Sequence, residues 1–340
     1  MRIGLLTGGG DCPGLNAVIR AVVRRAEMEF GDTIVGFRNG WKGMAEGDII
    51  DLSVDSTRGL VTRGGTILGT ARYHPHAHPD GTGMVFESFK RNRLDAVICI
   101  GGDGTLAAAG ELSAEGLPMV GVPKTIDNDV TGTDYSVGFD TAVSIAADAL
   151  DRVQTTGESH IRVMVVEVMG RHNGWIALSA GIAAGAEAIL IPEVPFDIDE
   201  LSKQLVHRHR RARSSVVVVA EGAAPLSGTV DWTPPIGKFG SIVAGAVGEM
   251  VRHEIEERTG FDSRLTVLGH VQRGGTPTPT DRILGSRFGV AAVNAVRDGE
   301  SGVMVGVQGE SMVRVPIAEI AGARKQVPDE LVEVAHSLTV

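Results

Sequence analysis

Residues 97–112 read VICIGGDGTLAAAGEL. The apolar run Val97 to Ile100 suits a short strand buried on both faces. Gly101 and Gly102 end it, Asp103 sits inside the glycine turn, and an alanine-rich helical stretch follows from Leu106. The same alternation runs along the chain. Residues 3–6, 96–100, 119–122, 163–168, 188–191, 216–220 and 265–268 read as strands. Residues 15–28, 106–115, 141–153, 175–184, 198–211 and 243–258 have helical spacing. The pattern predicts an α/β fold of mainly parallel sheets covered by helices. Two lobes are expected. The first spans 1–140, with about 300–340 packing back onto it, and the second spans 141–300. In open α/β sheets, ligands bind beyond the carboxyl ends of the strands, so the loops after the strands are where chemistry is sought.

Composition limits the function classes. The 340 residues are 43% hydrophobic and 22% charged, which is globular and excludes a fibre or a disordered chain. A net charge of -10 argues against broad nucleic-acid binding. Cys12 and Cys99 are the two cysteines, so neither a disulfide framework nor a zinc-type cysteine spacing is present. The apolar run 3–6 is too short for a signal peptide, and no stretch nears the ~20 apolar residues of a membrane helix. A cytoplasmic protein is expected.

Glycine is the outlier, with 46 residues clustered in short runs after apolar stretches. After the first strand comes GGGDCPGLNAVIR (8–20), which reads as a phosphate-binding turn with the N–H groups of the following helix turned to the ligand. Its spacing is neither GxGxxG nor the Walker pattern. In GGDGT (101–105), Asp103 is placed where a carboxylate can hold Mg²⁺ on nucleotide phosphates. PKTIDNDV (123–130) puts two carboxylates, Asp127 and Asp129, around an asparagine, and one can take the proton of an attacking hydroxyl. VMGRHNGW (168–175), Glu221 after its strand, and SRLTVLGHVQRGGTPTPTDR (263–282) bring Arg171, Arg264, His270 and Arg273 to or near strand ends. Arginine suits phosphate because its planar fork makes two charge-assisted hydrogen bonds.

Taken in order, TGGGDCPGLNAVIR, RGGTILGTAR, GGDGT, PKTIDND, MGRHNGW and LGHVQRGGTPTPTDR resemble the 6-phosphofructokinases, and the double-glycine entry and Lys124 resemble the actinobacterial-type, mixed-donor branch. The resemblance covers residue 1 to about 300. It implies the phosphofructokinase fold and transfer of a phosphoryl group to the C1 hydroxyl of fructose 6-phosphate. It assigns Asp127 as general base, with Thr125 and Arg171 near the transferring phosphoryl. It assigns Asp103 to magnesium, and Gly10, Arg72, Tyr73, Gly102, Asp103, Gly104 and Thr105 to the donor. Met169, Gly170 and Glu221 are assigned to the sugar, and Arg162, Arg264, His270 and Arg273 to the grip on its phosphate. Arg162 and Arg264 are implied to serve a neighbouring subunit, so a homodimer or homotetramer is expected.

Two positions bear on the donor. Gly104 leaves room for the α-phosphate and ribose of a nucleotide, where a carboxylate, as in pyrophosphate-using relatives, would repel that phosphate. Lys124 suits pyrophosphate or an ATP phosphate equally. A repulsive group excludes more sharply than an attractive one selects, so ATP is the expected donor and pyrophosphate the alternative. A non-catalytic sugar-phosphate-binding subunit is a further alternative, and GGDGT alone would also suit an NAD kinase. Arg20, Arg24 and Glu187 match parts of an effector site, while the segment at Val54 lacks its arginine and 207–213 reads as a solvated basic helix end. Residues 224–241 have no assigned role. His74, His76 and His78 read as a polar loop beside the donor, with a transition-metal site as the alternative.

Overall fold

The computed structural model describes residues 1–209, 214–237, 242–320 and 322–339. The chain divides into two compact units. The first holds Met1–Thr141 and Arg273–Lys325, and the second Ala142–Gln272 and Gln326–Val340.

In the first unit a seven-stranded sheet has the order β11-β10-β5-β4-β1-β2-β3. Its strands are β1 (Arg2–Thr7), β2 (Thr33–Phe37), β3 (Ile49–Leu52), β4 (Ala96–Gly101), β5 (Met119–Pro123), β10 (Val303–Gln308) and β11 (Ser311–Pro316). The five central strands run parallel, and β3 and β11 close the two edges antiparallel. The helices are α1 (Leu15–Phe30), α2 (Trp41–Glu46), α3 (Gly81–Arg91), α4 (Asp103–Ala114), α9 (Pro279–Arg297) and α10 (Ile317–Ile320). All six residues of β4 are buried, as expected for a strand covered on both faces.

In the second unit four parallel strands have the order β7-β8-β6-β9. They are β6 (Val163–Val168), β7 (Ala188–Leu190), β8 (Ser215–Ala220) and β9 (Ser263–Val267). Helices α6 (Trp175–Ala184), α7 (Ile198–His209), α8 (Ala246–Thr259) and α11 (Asp329–Leu338) belong to this unit, and α5 (Phe139–His160) carries the chain into it. Val230 and Trp232 pack on its core, which anchors part of the segment 224–241; residues 238–241 lie outside the described residues.

The expected division is corrected at its second crossing. The chain returns to the first unit at Arg273 and not near 300, and Gln326–Val340 join the second unit, not the first. The cause is packing. A Cβ added to Gly289 would lie 2.6 Å from Ala21 Cβ, and one added to Gly285 would lie 3.1 Å from the Gly14 carbonyl. Glycine at these two positions, one turn apart, lets α9 press its backbone against α1. At the other end of the chain, α11 packs on α6.

Asp281 ties α9 to the entry of α5. It is fully buried and accepts hydrogen bonds from the Gly138 and Thr141 amides, each at 2.8 Å, and from Thr141 Oγ1 at 2.5 Å. Burial raises its pKa, and these hydrogen bonds oppose the rise. Asp281→Ala leaves those donors buried and unpaired. A loss of about 3 kcal/mol is expected, checked by the denaturation midpoint, with Asp281→Asn losing less.

Candidate active site

In the first sheet the chain moves from β1 to β2 on one side, while β4 lies on the other and leads away to β5 and β10. The direction of winding therefore reverses between β1 and β4, where open α/β sheets form their ligand crevice. A cavity of about 550 Å³ lies beside the loops that follow β1, β4 and β5. Its lining includes Gly9, Gly10 and Asp11 after β1, Gly102 to Thr105 after β4, and Lys124 to Asp127 after β5. Arg72, Tyr73, His74 and Arg273 complete much of the remaining wall.

The glycines have specific duties here. A Cβ on Gly8 would lie 2.4 Å from Thr105 Oγ1, and one on Gly101 would lie 2.3 Å from Thr105 Cβ. The two glycines thus admit the Thr105 side chain at the start of α4. A Cβ on Gly104 would meet nothing within 4 Å, so this position faces open space. The helix start on the cavity is that of α4. The loop after β1 lines the cavity through Asp11, and Leu15, the first residue of α1, is buried. Asp11 is absent from the sequence-based candidates, although its place directly after three glycines at the end of β1 was a usable signal.

Two cations sit against the glycine loop. Lys124 is buried, and its Nζ donates to the Gly10 carbonyl. Burial lowers its pKa and Arg273 lowers it further, while Cys12, Asp11 and Asp127 act in the other direction. A Cβ on Gly10 would fall 2.1 Å from Arg273 Nη1, so the guanidinium lies directly over this glycine. Arg273 Nε is buried with no hydrogen-bond partner. A buried cationic donor left unpaired beside an ammonium is a site for an anion.

The loop after β5 is fixed by Asn128, whose φ of 52° reverses the chain. Its side chain donates to the Asp134 carbonyl at 3.2 Å and accepts from the Ser136 amide at 3.0 Å. The Asp127 amide donates to Thr125 Oγ1 at 3.1 Å. Thr125 and Asp127 are thereby held at the cavity wall as a hydroxyl and a carboxylate on one rigid turn.

The second unit places its candidates in two groups. Met169, Gly170 and Arg171 follow β6, Glu221 follows β8 and His270 follows β9, all at carboxyl ends. The Gly222 amide donates to the Gly170 carbonyl at 3.1 Å, and a Cβ on Gly222 would fall 2.0 Å from the Arg171 carbonyl oxygen. The loops after β6 and β8 are thus pressed together. Arg162 and Arg264 instead flank Asp262 near the opposite ends of β6 and β9. Arg162 Nε lies 2.5 Å from Asp262 Oδ2, and Arg264 Nη1 donates to Asp262 Oδ1. The hydrogen bond from Arg162 holds the Asp262 carboxyl below the usual range. β6 extends about 20 Å, so these arginines lie toward the other end of the sheet from residues 169–171.

Among the expected phosphate-grip residues, Arg273 belongs to the first unit and lines its cavity, whereas Arg162, Arg264 and His270 belong to the second. Glu187 accepts from Arg208 Nη2 at 2.6 Å and from the Val216 amide at 2.5 Å, so its carboxylate pins α7 to β8. Residues 210–213 of the basic run lie outside the described residues.

The family pattern described as Phosphofructokinase matches residues 2–296. The chain belongs to the phosphofructokinase family. A pyrophosphate--fructose 6-phosphate 1-phosphotransferase of Streptomyces coelicolor is 51% identical over 98% of both chains. ATP-dependent 6-phosphofructokinase 3 of the same organism is 52% identical over 97% of both. The phosphofructokinase of Pichia pastoris, solved in its T-state, superposes with a TM-score of 0.83 at 33% identity. That alignment covers 99% of this chain and 36% of the Pichia chain, so this phosphofructokinase spans about a third of its length. Near relatives thus carry the names of both donors.

Proposed function

We propose that the chain is an ATP-dependent 6-phosphofructokinase, which transfers the ATP γ-phosphoryl group to the C1 hydroxyl of fructose 6-phosphate. The observation that carries this reading is the cavity at the winding reversal, with Gly104 open to it and Asp127 fixed on its wall. Lys124 and Arg273 supply positive charge against the polyphosphate, and the start of α4 adds the positive end of a helix dipole. Asp127 accepts the proton of the sugar hydroxyl as that oxygen attacks phosphorus, and Thr125 orients the phosphoryl group. On the second unit, Met169, Gly170, Glu221 and His270 are assigned to the sugar phosphate, and Arg171 to the charge on the transferring group.

Mg²⁺ fits the donor set, because Asp103 offers a hard carboxylate on the cavity wall in the first turn of α4. When bound, it neutralises phosphate charge. Asp103 would hold it directly or through water.

Pyrophosphate remains the second reading, favoured by the ammonium of Lys124 beneath the glycine loop. A product assay with fructose 6-phosphate and Mg²⁺, supplied with ATP or pyrophosphate in parallel, separates the two. Turnover with ATP and none with pyrophosphate is expected; the reverse would transfer the proposal to the pyrophosphate enzyme. Turnover with neither would reduce the chain to a binding subunit.

The enzyme works in the cytoplasm as a homodimer or homotetramer. No helix among the described residues is long and apolar enough to cross a membrane. Arg162 and Arg264 are assigned to the sugar phosphate in a neighbouring subunit, because they sit at the amino-terminal ends of β6 and β9, away from their own chain's carboxyl-end loops. Mixing inactive Asp127→Asn chains with inactive Arg162→Ala/Arg264→Ala chains should restore activity, since some sites then draw each intact part from a different subunit. A mixture as inactive as its components would overturn the shared site.

A further inference from the structure

The segment after Tyr73 and the outer face of α4 bring together side chains that phosphoryl transfer does not use. His74 and His76 flank Pro75, and Glu111 and Glu115 lie one helical turn apart. Glu111 Oε2 is 2.8 Å from His76 Nδ1 and 3.9 Å from His74 Nε2. Glu115 Oε1 is 2.7 Å from His76 Nε2. One ligand atom from each of His74, His76 and Glu111 lies within 4.8 Å of the other two. His78 stands apart from this group, its ring stacked on Tyr73 at 4.3 Å between centroids.

The surroundings of His76 decide what the cluster can hold. A neutral imidazole carries one ring hydrogen. With that hydrogen on Nε2 and donated to Glu115, the Nδ1 lone pair points at a carboxylate oxygen 2.8 Å away. Two electron-rich atoms at that distance require a positive centre between them, either a second proton or a metal ion. A proton there is fully served by His76 and Glu111. The imidazole of His74, 3.9 Å from the same Glu111 oxygen, offers a third ligand to a metal ion held there. A carboxylate holding the far N–H of a histidine is also the usual support of a metal-bound imidazole.

The ligand set selects the class of metal. Two imidazoles and one carboxylate suit Zn²⁺ and its neighbours, whereas Mg²⁺ prefers oxygen throughout. Tetrahedral bonds of about 2.0–2.1 Å put adjacent ligand atoms roughly 3.3 Å apart. The observed 2.8 and 3.9 Å bracket that spacing, and the His74 and His76 rings, 5.8 Å apart between centroids, close on an ion by rotating toward it. We infer that His74, His76 and Glu111 form a binding site for a Zn²⁺-class divalent ion, supported by Glu115 and completed by water. His74 also lines the donor cavity, and α4 begins at Asp103 on its wall. An ion here ties the segment carrying Arg72 and Tyr73 to the helix carrying Gly104. The site does not depend on which phosphoryl donor is used.

Chelator-stripped protein, free of nucleotide and Mg²⁺, is titrated with ZnCl₂ by calorimetry and with CoCl₂ by visible absorption. One ion per chain and intense tetrahedral Co²⁺ bands, displaced by Zn²⁺, are expected. His76→Gln and Glu111→Gln should weaken binding by about tenfold or more, and Glu115→Gln by about tenfold. His336→Gln, on α11, should titrate like the parent. Melting curves recorded without metal verify folding, and Glu111→Gln, on an exposed helix face, carries the test if His76→Gln does not fold. Absence of binding, or unchanged binding in Glu111→Gln, would overturn the site.

Discussion

Gly104→Asp is expected to lower kcat/KM for ATP by about 100-fold, a loss of about 2.7 kcal/mol in transition-state stabilisation. The fold should tolerate the change. A Cβ at Gly104 touches nothing within 4 Å, and the position lies in the first turn of α4, where a carboxylate interacts well with the helix dipole. The new charge projects into the cavity that the nucleotide phosphates would fill. Two like charges about 4 Å apart repel by roughly 4 kcal/mol at the effective dielectric of such sites, which is sufficient for the predicted loss. Pyrophosphate has no ribose or third phosphate to place there and should be affected much less. Steady-state kinetics with each donor are the check. Unchanged ATP kinetics would mean that position 104 does not govern the donor.

Asp127→Asn should lower kcat by about a thousandfold, within the usual range for loss of a general base. The amide preserves the shape of the side chain and cannot take the hydroxyl proton. The turn that holds it is fixed independently by Asn128 and Ser136, so its geometry should survive. Fructose 6-phosphate affinity, measured by calorimetry, should change only a few-fold. A variant with full turnover would remove the base assignment, and one that no longer bound sugar would recast Asp127 as a binding residue.

Much of this was legible in the sequence because the same residues set both the strand ends and the chemistry. The buried run before Gly101 marks β4, and the glycines after it mark the loop that lines the cavity. Residues 124–127 were legible for the same reason, since they directly follow β5. The late return of the chain was not legible. Gly285 and Gly289 disfavour α9 on helix propensity alone, and their value appears only when α1 lies against them. Arg273 is assigned by motif to the sugar phosphate; its place over Gly10 in the first unit was not legible, because it depends on the chain crossing back immediately before it. The histidine cluster was half visible. Spacing marked His74 and His76, but Glu111 and Glu115 are distant in sequence and join them only through the fold.

The late return has a consequence for how the protein is made. The first unit's sheet needs β10 and β11, which are encoded by residues 303–316. Until they leave the ribosome, β5 has no outer partner, and α1 lacks the helix that covers it. A nascent chain must therefore carry an open sheet edge until residues 303–316 emerge, while the strands of the second unit are all made earlier. Unpaired edges of this kind are where chains pair wrongly with one another. Yield in the cell should depend on how fast the codons for residues 303–316 are translated and their strands delivered to β5.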